Sequence, residues 1–205
     1  MFMQDFTRLA PVHAVFGTPP ATTGLAAGTP VEARNGWQRV EGLRPGDAVH
    51  TLDGGLRKIA AMDRAWLLPA MRADILHLPG GAFGNCGEIA LLPDQHVLLD
   101  LAPSDPSTGG LPDALGVLIP ASTLDGHHGI TRQRARMPLE IITLFFAEEE
   151  LVWGASGVLL HCPAVRHGAG ALPEGDIFPR IAAPVARRLL AARADERDAL
   201  PGWVA

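Results

Sequence analysis

The sequence predicts a mostly β fold of short strands joined by hairpins, with a single α-helix near the C-terminus. Two turn motifs, Asn35-Gly36 and Asp53-Gly54-Gly55, contain residues that tolerate the backbone of tight hairpin turns. Turns also recur at intervals too short for β-α-β units, so neighbouring strands should pair directly. Beyond about residue 183 the apolar period changes to that of a helix.

Each turn motif has an expected strand on either side. Val31 and Ala33 lead into the first turn and residues 37–41 form its return strand, whereas residues 48–52 and 56–59 flank the second turn. Several further segments are apolar runs without alternation, which predicts strands buried on both faces. These further strands are expected at residues 75–78, 89–92, 97–101, 116–119, 139–146, 151–153 and 157–160.

Two segments break the strand pattern. Residues 102–110 are rich in Pro, Gly and Ser and predict a mobile insertion between strands. Near the C-terminus, Pro184 suits a first helical turn, and apolar residues such as Val185 and Leu189 recur at helical spacing. We therefore expect a helix over residues 183–199, packed on its own domain with its arginine-rich side in water.

Composition indicates one compact domain with extensions. The chain has 205 residues, of which 47% are hydrophobic, so it can bury a substantial core. The expected organisation is an N-terminal extension (residues 1–20), a β domain (21–165) and a C-terminal tail (166–205). With 17 basic and 22 acidic residues the net charge is −5, and no dense basic run occurs, so nucleic acid is not an expected partner.

The ends and the cysteines point to the cytoplasm. Asp5 comes early, before any apolar run of signal-peptide length, and no apolar stretch approaches the roughly 20 residues that span a bilayer. Cys86 and Cys162 are the two cysteines and provide no disulfide framework. We expect a cytoplasmic protein without an integral membrane segment.

Two blocks of sequence resemble a known family. Residues 24–31 read Gly-Leu-Ala-Ala-Gly-Thr-Pro-Val, and the following segment, 37–55, contains a Val-Glu, Leu, Pro-Gly-Asp, Val series that ends in an Asp-Gly turn. The second block, residues 93–99, reads Pro-Asp-Gln-His-Val-Leu-Leu. Together with residues 139–153, these blocks resemble the bacterial subgroup of the Hint family, the hedgehog and intein self-processing modules. The resemblance runs from residue 24 to about 163 and implies a Hint-like β fold.

The resemblance also implies a self-processing site, whose chemical groups are largely missing. The family normally has a cysteine, or less often a serine, where this chain has Gly24, and that side chain attacks the preceding peptide carbonyl. Pro93 stands where a Thr or Ser helps to activate the amide, whereas the family histidine is kept as His96. Histidines expected from the resemblance at Thr143 and Glu149 are also absent. We expect a vestigial site with no catalytic residue, no cofactor and no metal.

Two functions follow from these replacements. The leading hypothesis is a catalytically degenerate Hint domain that acts as a binding or structural module, with a protein as its unknown partner. The alternative is an autoproteolytic enzyme that cleaves near residues 23–24 with a displaced nucleophile, either Thr23 or, through folding, Cys86. Splicing is not expected, because it needs a terminal asparagine and the only asparagines are Asn35 and Asn85.

The retained polar residues each have a functional and a structural interpretation. His96 is either the inherited amide-activating histidine or a core-edge histidine whose ring is satisfied by backbone groups, and the lost nucleophile favours the structural role.

Asp47 is expected to bind backbone amides of its own turn. The pair His161-Cys162 should point to opposite faces of a strand, which argues against a shared metal. Residues 148–150, three glutamates, are expected to form a solvated hairpin tip.

Overall fold

The fold is described by a computed structural model that covers residues 21–100, 116–165 and 179–199. The predicted extension 1–20 and the predicted insertion 102–110 lie outside these residues. Within them the chain is mostly β with one helix, α1 (Ala183–Ala199), which confirms the predicted fold class. The strands are β1 (Leu25–Ala26), β2 (Pro30–Ala33), β3 (Gly36–Arg39), β4 (Ala48–Thr51), β5 (Gly55–Lys58), β6 (Ala61–Leu67), β7 (Asp74–Leu78), β8 (Ile89–Leu91), β9 (His96–Asp100), β10 (Gly116–Pro120), β11 (Thr131–Arg134), β12 (Leu139–Phe145), β13 (Glu150–Gly154) and β14 (Val158–Cys162).

The strands form two antiparallel sheets. The first has the order β11-β7-β8-β1-β12-β6, so the two-residue strand β1 lies in its middle, with Leu25 opposite Leu91 on one side and Ile142 on the other. The second has the order β10-β9-β14-β13-β2-β4-β5, with β3 paired to β2. β1, which directly follows Gly24, is therefore held between two strands that are distant in sequence.

Both predicted hairpins are present. In the first, Gly36 takes φ +98°, a conformation that favours glycine, and β3 pairs with β2. The return strand ends at Arg39, two residues earlier than predicted, because a short 3-10 turn follows it. The backbone N–H of Arg44 donates to a carboxylate oxygen of Asp47 at 2.8 Å, which confirms the turn role expected of that residue.

Two strands, β6 and β11, were not predicted because their polar residues hide any strand pattern. β6 pairs with β12 along seven residues, yet Asp63 and Arg64 interrupt it and most of its side chains are exposed. β11 reads Thr-Arg-Gln-Arg and is exposed throughout, at the edge of its sheet. Neither strand alternates between apolar and polar residues. Such alternation is the sequence signal that identifies a half-buried strand.

Buried apolar side chains from both sheets form the main core. Val117, Leu118 and Ile119 are consecutive in β10 and all fully buried, as expected for a run without alternation. Phe146 and Leu25 are among the largest fully buried side chains. Each such side chain contributes roughly 1.5–3 kcal/mol on burial, so this core is the principal source of stability.

The C-terminal segment packs onto the second sheet. Residues 179–181 run parallel to β10, where the N–H of Leu118 donates to the carbonyl of Pro179 at 2.8 Å and the N–H of Ile181 donates to the carbonyl of Leu118 at 3.1 Å. α1 then covers the 3-10 turn Ala121–Leu124 with a face that buries Ala186, Leu189 and Leu190. The helix predicted for 183–199 is confirmed, and so is its packing on its own domain.

Within the described ranges, no helix has both the length and the apolar character that a bilayer crossing requires.

Candidate functional site

A cleft of about 470 Å³ opens next to Gly24. Four segments line it, residues 23–25, 94–96, 142–145 and 161–164, and Arg180 lines it from the C-terminal segment. The cleft thus brings together two of the predicted residues, Gly24 and His96, which are far apart in sequence. Thr23 also faces it, whereas Pro93 directly precedes one of its lining segments.

Gly24 is buried in a conformation that leaves no room for a side chain. Its φ is +119°, which residues with a side chain rarely adopt. A Cβ at this position would lie 2.6 Å from Cγ2 of Ile141 and 3.0 Å from Oγ1 of Thr143. The backbone at the expected nucleophile position is therefore adapted to glycine.

Gln95 connects three parts of the cleft through its side chain, which is only 3% exposed. Its Oε1 accepts a hydrogen bond from the N–H of Gly24 at 2.9 Å. Its Nε2 donates to the carbonyl oxygens of His96 at 3.0 Å and of His161 at 2.9 Å. Both polar groups of the side chain are hydrogen-bonded, so Gln95 is a structural hub that links three segments. Nothing in the sequence indicated this role.

Backbone hydrogen bonds hold the second block beside the segment before Gly24. The N–H of Asp94 donates to the carbonyl of Thr22 at 3.1 Å. On the other side, the carbonyl of Pro93 accepts from the N–H of Ser122 at 2.8 Å. Thr22 and Thr23 both have exposed side chains. Pro93 is thus tied to the 3-10 turn beneath α1, while its neighbour Asp94 contacts the Thr22 carbonyl, one residue before the carbonyl that a nucleophile at position 24 would attack.

Three charged or ionisable side chains meet at the C-terminal side of the cleft. Arg180 Nη2 donates to Oε2 of Glu149 at 2.7 Å, and the same carboxylate oxygen lies 3.0 Å from Nε2 of His161. Arg180 Nη2 is also 3.1 Å from His161 Nε2. The His96 ring stands edge-on to that of His161, with centroids 6.3 Å apart. We call Glu149, His161 and Arg180 the ionic cluster.

The ionic cluster corrects the expectation for the three glutamates. Only Glu148 is exposed; the side chain of Glu149 is 12% exposed, and Glu150 is buried and pairs with Arg57 at 3.2 Å. Glu149 lies between β12 and β13 and pairs with His161 and Arg180, which line the cleft, and Glu150 already begins β13. The prediction of a solvated tip was wrong because the partners of these acids lie in distant segments.

The surroundings of His161 favour its neutral form. Burial lowers its pKa from the usual 6.5, and the positive charge of Arg180 and the proximity of His96 act in the same direction. The hydrogen bond to Glu149 and the charge of that residue oppose this effect only in part. A neutral imidazole has one N–H, so Nε2 either donates to Glu149 or accepts from Arg180.

The neighbouring thiol is unreactive as a nucleophile. Cys162 is a free, fully buried cysteine, and burial together with the charge of Glu150 raises its pKa to about 12. The attacking species of a cysteine is the thiolate, which such a pKa suppresses. Cys86 is exposed, but it contacts the turn before β14 and is not among the residues lining the cleft.

The groups in the cleft suit hydrogen bonding better than acyl transfer. Cleavage of a peptide bond requires a nucleophile and a proton for the departing amine. Gly24 supplies no nucleophile, and the carboxamide of Gln95, which holds the Gly24 amide, does not titrate. In the described part of the chain no three His, Cys, Asp or Glu side chains lie close enough to hold a metal ion.

Comparisons with known proteins give one family match and several similar solved structures. A family model described as a Hint domain matches residues 23–159. Among solved structures, a bacterial intein-like domain from Clostridium thermocellum shares 15% identity at a TM-score of 0.49, with 69% of this chain and 99% of that chain covered. An inactive variant of the AceL NrdHF class 3 split intein shares 16% identity at a TM-score of 0.43, with 70% and 99% covered. The MchDnaB-1 intein shares 15% identity at 0.39, with 67% and 98% covered.

The curated proteins contain no significant match to this chain. The family model extends over well more than half of the sequence, from just before Gly24 to the middle of β14. On that match, this chain belongs to the Hint domain family.

Proposed function

We propose that this chain is a Hint domain that does not cleave itself and whose cleft acts as a binding or structural site for a protein partner. The observation that carries the proposal is the conformation of Gly24. Its positive φ and the 2.6 Å approach of Ile141 to a Cβ position mean that the backbone has adapted to a residue without a side chain. The surroundings of Gly24 therefore suit a residue without a side chain, which supports the proposal.

The hydrogen bonding of the Gly24 amide supports the same proposal. An acyl shift at this bond ends with the nitrogen as an amine, which must gain a proton. Gln95 accepts the existing N–H and offers no proton in return, and its own NH₂ group is used by two carbonyls. This arrangement stabilises the intact peptide bond.

The test is the intact mass of the purified chain. We expect it to remain at 21.7 kDa during long incubation with a thiol or with hydroxylamine, because no ester or thioester forms for these reagents to capture. The matched control is Thr23→Ala, which removes the nearest hydroxyl and should behave as the wild type does. A fragment that begins at residue 24 would overturn the proposal.

One observation supports the alternative function, autoproteolysis with Thr23 as the nucleophile. The carbonyl that Thr23 would attack belongs to Thr22, and it accepts a hydrogen bond from the Asp94 N–H at 3.1 Å, which polarises it. Thr23 also lines the same cleft as His96 and His161. This mechanism predicts a fragment that begins at residue 23 and disappears in Thr23→Ala, so the two functions have distinct products.

The division of the chain belongs to the same proposal. We propose an extension over residues 1–20, the Hint domain over 21–165 and a tail over 166–205 that returns to the domain through α1. The cytoplasmic location and the lack of a nucleic-acid partner, inferred from composition, stay predictions.

A further inference from the structure

Arg180 enters the cleft from outside the part of the chain that the Hint family model matches. Its backbone is held by the two hydrogen bonds that join Pro179 and Ile181 to Leu118. Its side chain reaches Glu149 and His161, which lie on either side of β13 in sequence. The segment therefore binds the domain as a short added strand with one inserted side chain.

We propose that Glu149 and His161 form a recognition site for the guanidinium group of an arginine presented by an extended strand, and that Arg180 fills this site in cis. This inference rests on the proposed function, because it takes the cleft to be a binding site. It names the chemistry of the ligand: an arginine whose flanking backbone pairs with the edge of β10.

The weaker hydration and the additional donors of arginine favour a guanidinium over an ammonium group. One nitrogen, Nη2 of Arg180, lies within hydrogen-bonding distance of both the Glu149 carboxylate and the His161 ring. Arginine has five N–H donors in a planar fork, so it can satisfy two acceptors and still reach water, whereas lysine is a compact and strongly hydrated point charge. A neutral His161 can offer Nε2 as the second acceptor.

The burial of the acceptors is the second support. The side chains of Glu149 and His161 are 12% and 10% exposed, and the Arg180 side chain is 34% exposed. A carboxylate taken this far out of water is costly unless it is paired.

The edge of β10 supplies the backbone donor and acceptor that a strand ligand requires. Pairing with an exposed strand edge is a known way for proteins to bind extended segments.

The experiment is chemical rescue in the full chain. In Arg180→Ala the guanidinium site is vacated, and ethylguanidinium at millimolar concentration is the probe. The readout is the His161 ring signals in NMR. We expect the His161 pKa to rise in the variant, because the Arg180 charge lowers it, and to fall again as ethylguanidinium binds with saturation.

Two controls define the chemistry of the site. Ethylammonium should give no saturable effect in Arg180→Ala, and ethylguanidinium should give none in Glu149→Gln/Arg180→Ala. Arg188→Ala, on the exposed side of α1, should leave the His161 signals unchanged with or without probe. Equal rescue by both cations, or no saturable rescue by ethylguanidinium in a folded variant, would overturn the inference.

If Arg180→Ala does not fold, Arg180→Lys replaces it. Lysine keeps the charge but not the fork, so we expect faster amide exchange at Leu118 and Ile181 than in the wild type. Exchange equal to that of the wild type would contradict a guanidinium site. Self-cleavage is measured separately by intact mass, so failure of this inference and failure of the proposed function give different results.

Discussion

The backbone N–H of Gly24 donates a 2.9 Å hydrogen bond to Oε1 of Gln95, a residue 71 positions further along the chain. The resemblance to the Hint family implies that Gly24 stands at the position of the nucleophile, and Gln95 directly precedes His96 in the second block. The contact therefore joins the two blocks that relate this chain to its family. It does so with a carboxamide that holds the Gly24 amide and does not titrate.

Gln95→Ala should destabilise the protein by more than about 2 kcal/mol. The substitution leaves the Gly24 N–H and two backbone carbonyls without their partner, and each buried unsatisfied group costs roughly 1–3 kcal/mol. Denaturant unfolding measures the change. Gln133→Ala is the control: this glutamine is exposed and its side chain bonds to the exposed Thr131, so the loss of that side chain should cost less than about 0.5 kcal/mol. Equal effects would contradict the role of Gln95 as a hub.

Gly24→Ala should cost more than Gly28→Ala. Both glycines have a positive φ, +119° and +93°, so alanine is strained at each by on the order of 1 kcal/mol or more. At Gly28 nothing lies within 4 Å of the added Cβ, whereas at Gly24 the methyl group collides with Ile141. Urea midpoints of the two variants give the comparison, and a Gly24→Ala variant as stable as Gly28→Ala would show that the site accepts a side chain.

The two cysteines should differ sharply in reactivity. Cys86 is exposed, whereas Cys162 is buried with a pKa of about 12, so a thiol reagent should label the native protein once, at Cys86. Mass spectrometry after alkylation counts the labels. Cys86→Ser should then take up no label until the chain is unfolded, and rapid native labelling of that variant would mean that Cys162 is accessible.

Acid should weaken the fold through His161. Its pKa is lowered in the folded protein, so the unfolded chain binds the proton more readily and stability increases with pH. The free energy of unfolding should fall as the pH drops below 6.5, the usual value, toward the lower folded value. His161→Gln should lose this part of the dependence, and His127→Gln, outside the cleft, should keep it. Identical pH profiles for the wild type and His161→Gln would refute the role of His161.

The hairpins could be predicted because their signals are local. Asn35-Gly36 and the Asp-Gly-Gly motif determine turn geometry within a few residues, and the apolar runs of β10 and β14 indicate burial directly. β6 and β11 have polar sequences, and each depends on its partner strand for its place in the sheet. Their assignment requires the tertiary structure.

The residues of the site also differ in whether they could be predicted from the sequence. The resemblance was enough to predict that Gly24 and His96 belong together, and the cleft contains both. Gln95 had no signal beyond its position next to His96, because an isolated glutamine is usually a surface residue. The ionic cluster draws Glu149, His161 and Arg180 from three segments, and no spacing in the sequence relates them.

The intact mass of the wild-type chain, measured after prolonged incubation at neutral pH with hydroxylamine, decides whether the chain cleaves itself. The proposal predicts a single species at 21.7 kDa, unchanged from the start and identical in behaviour to Thr23→Ala. A C-terminal fragment that begins at residue 23 or 24 in the wild type would contradict it.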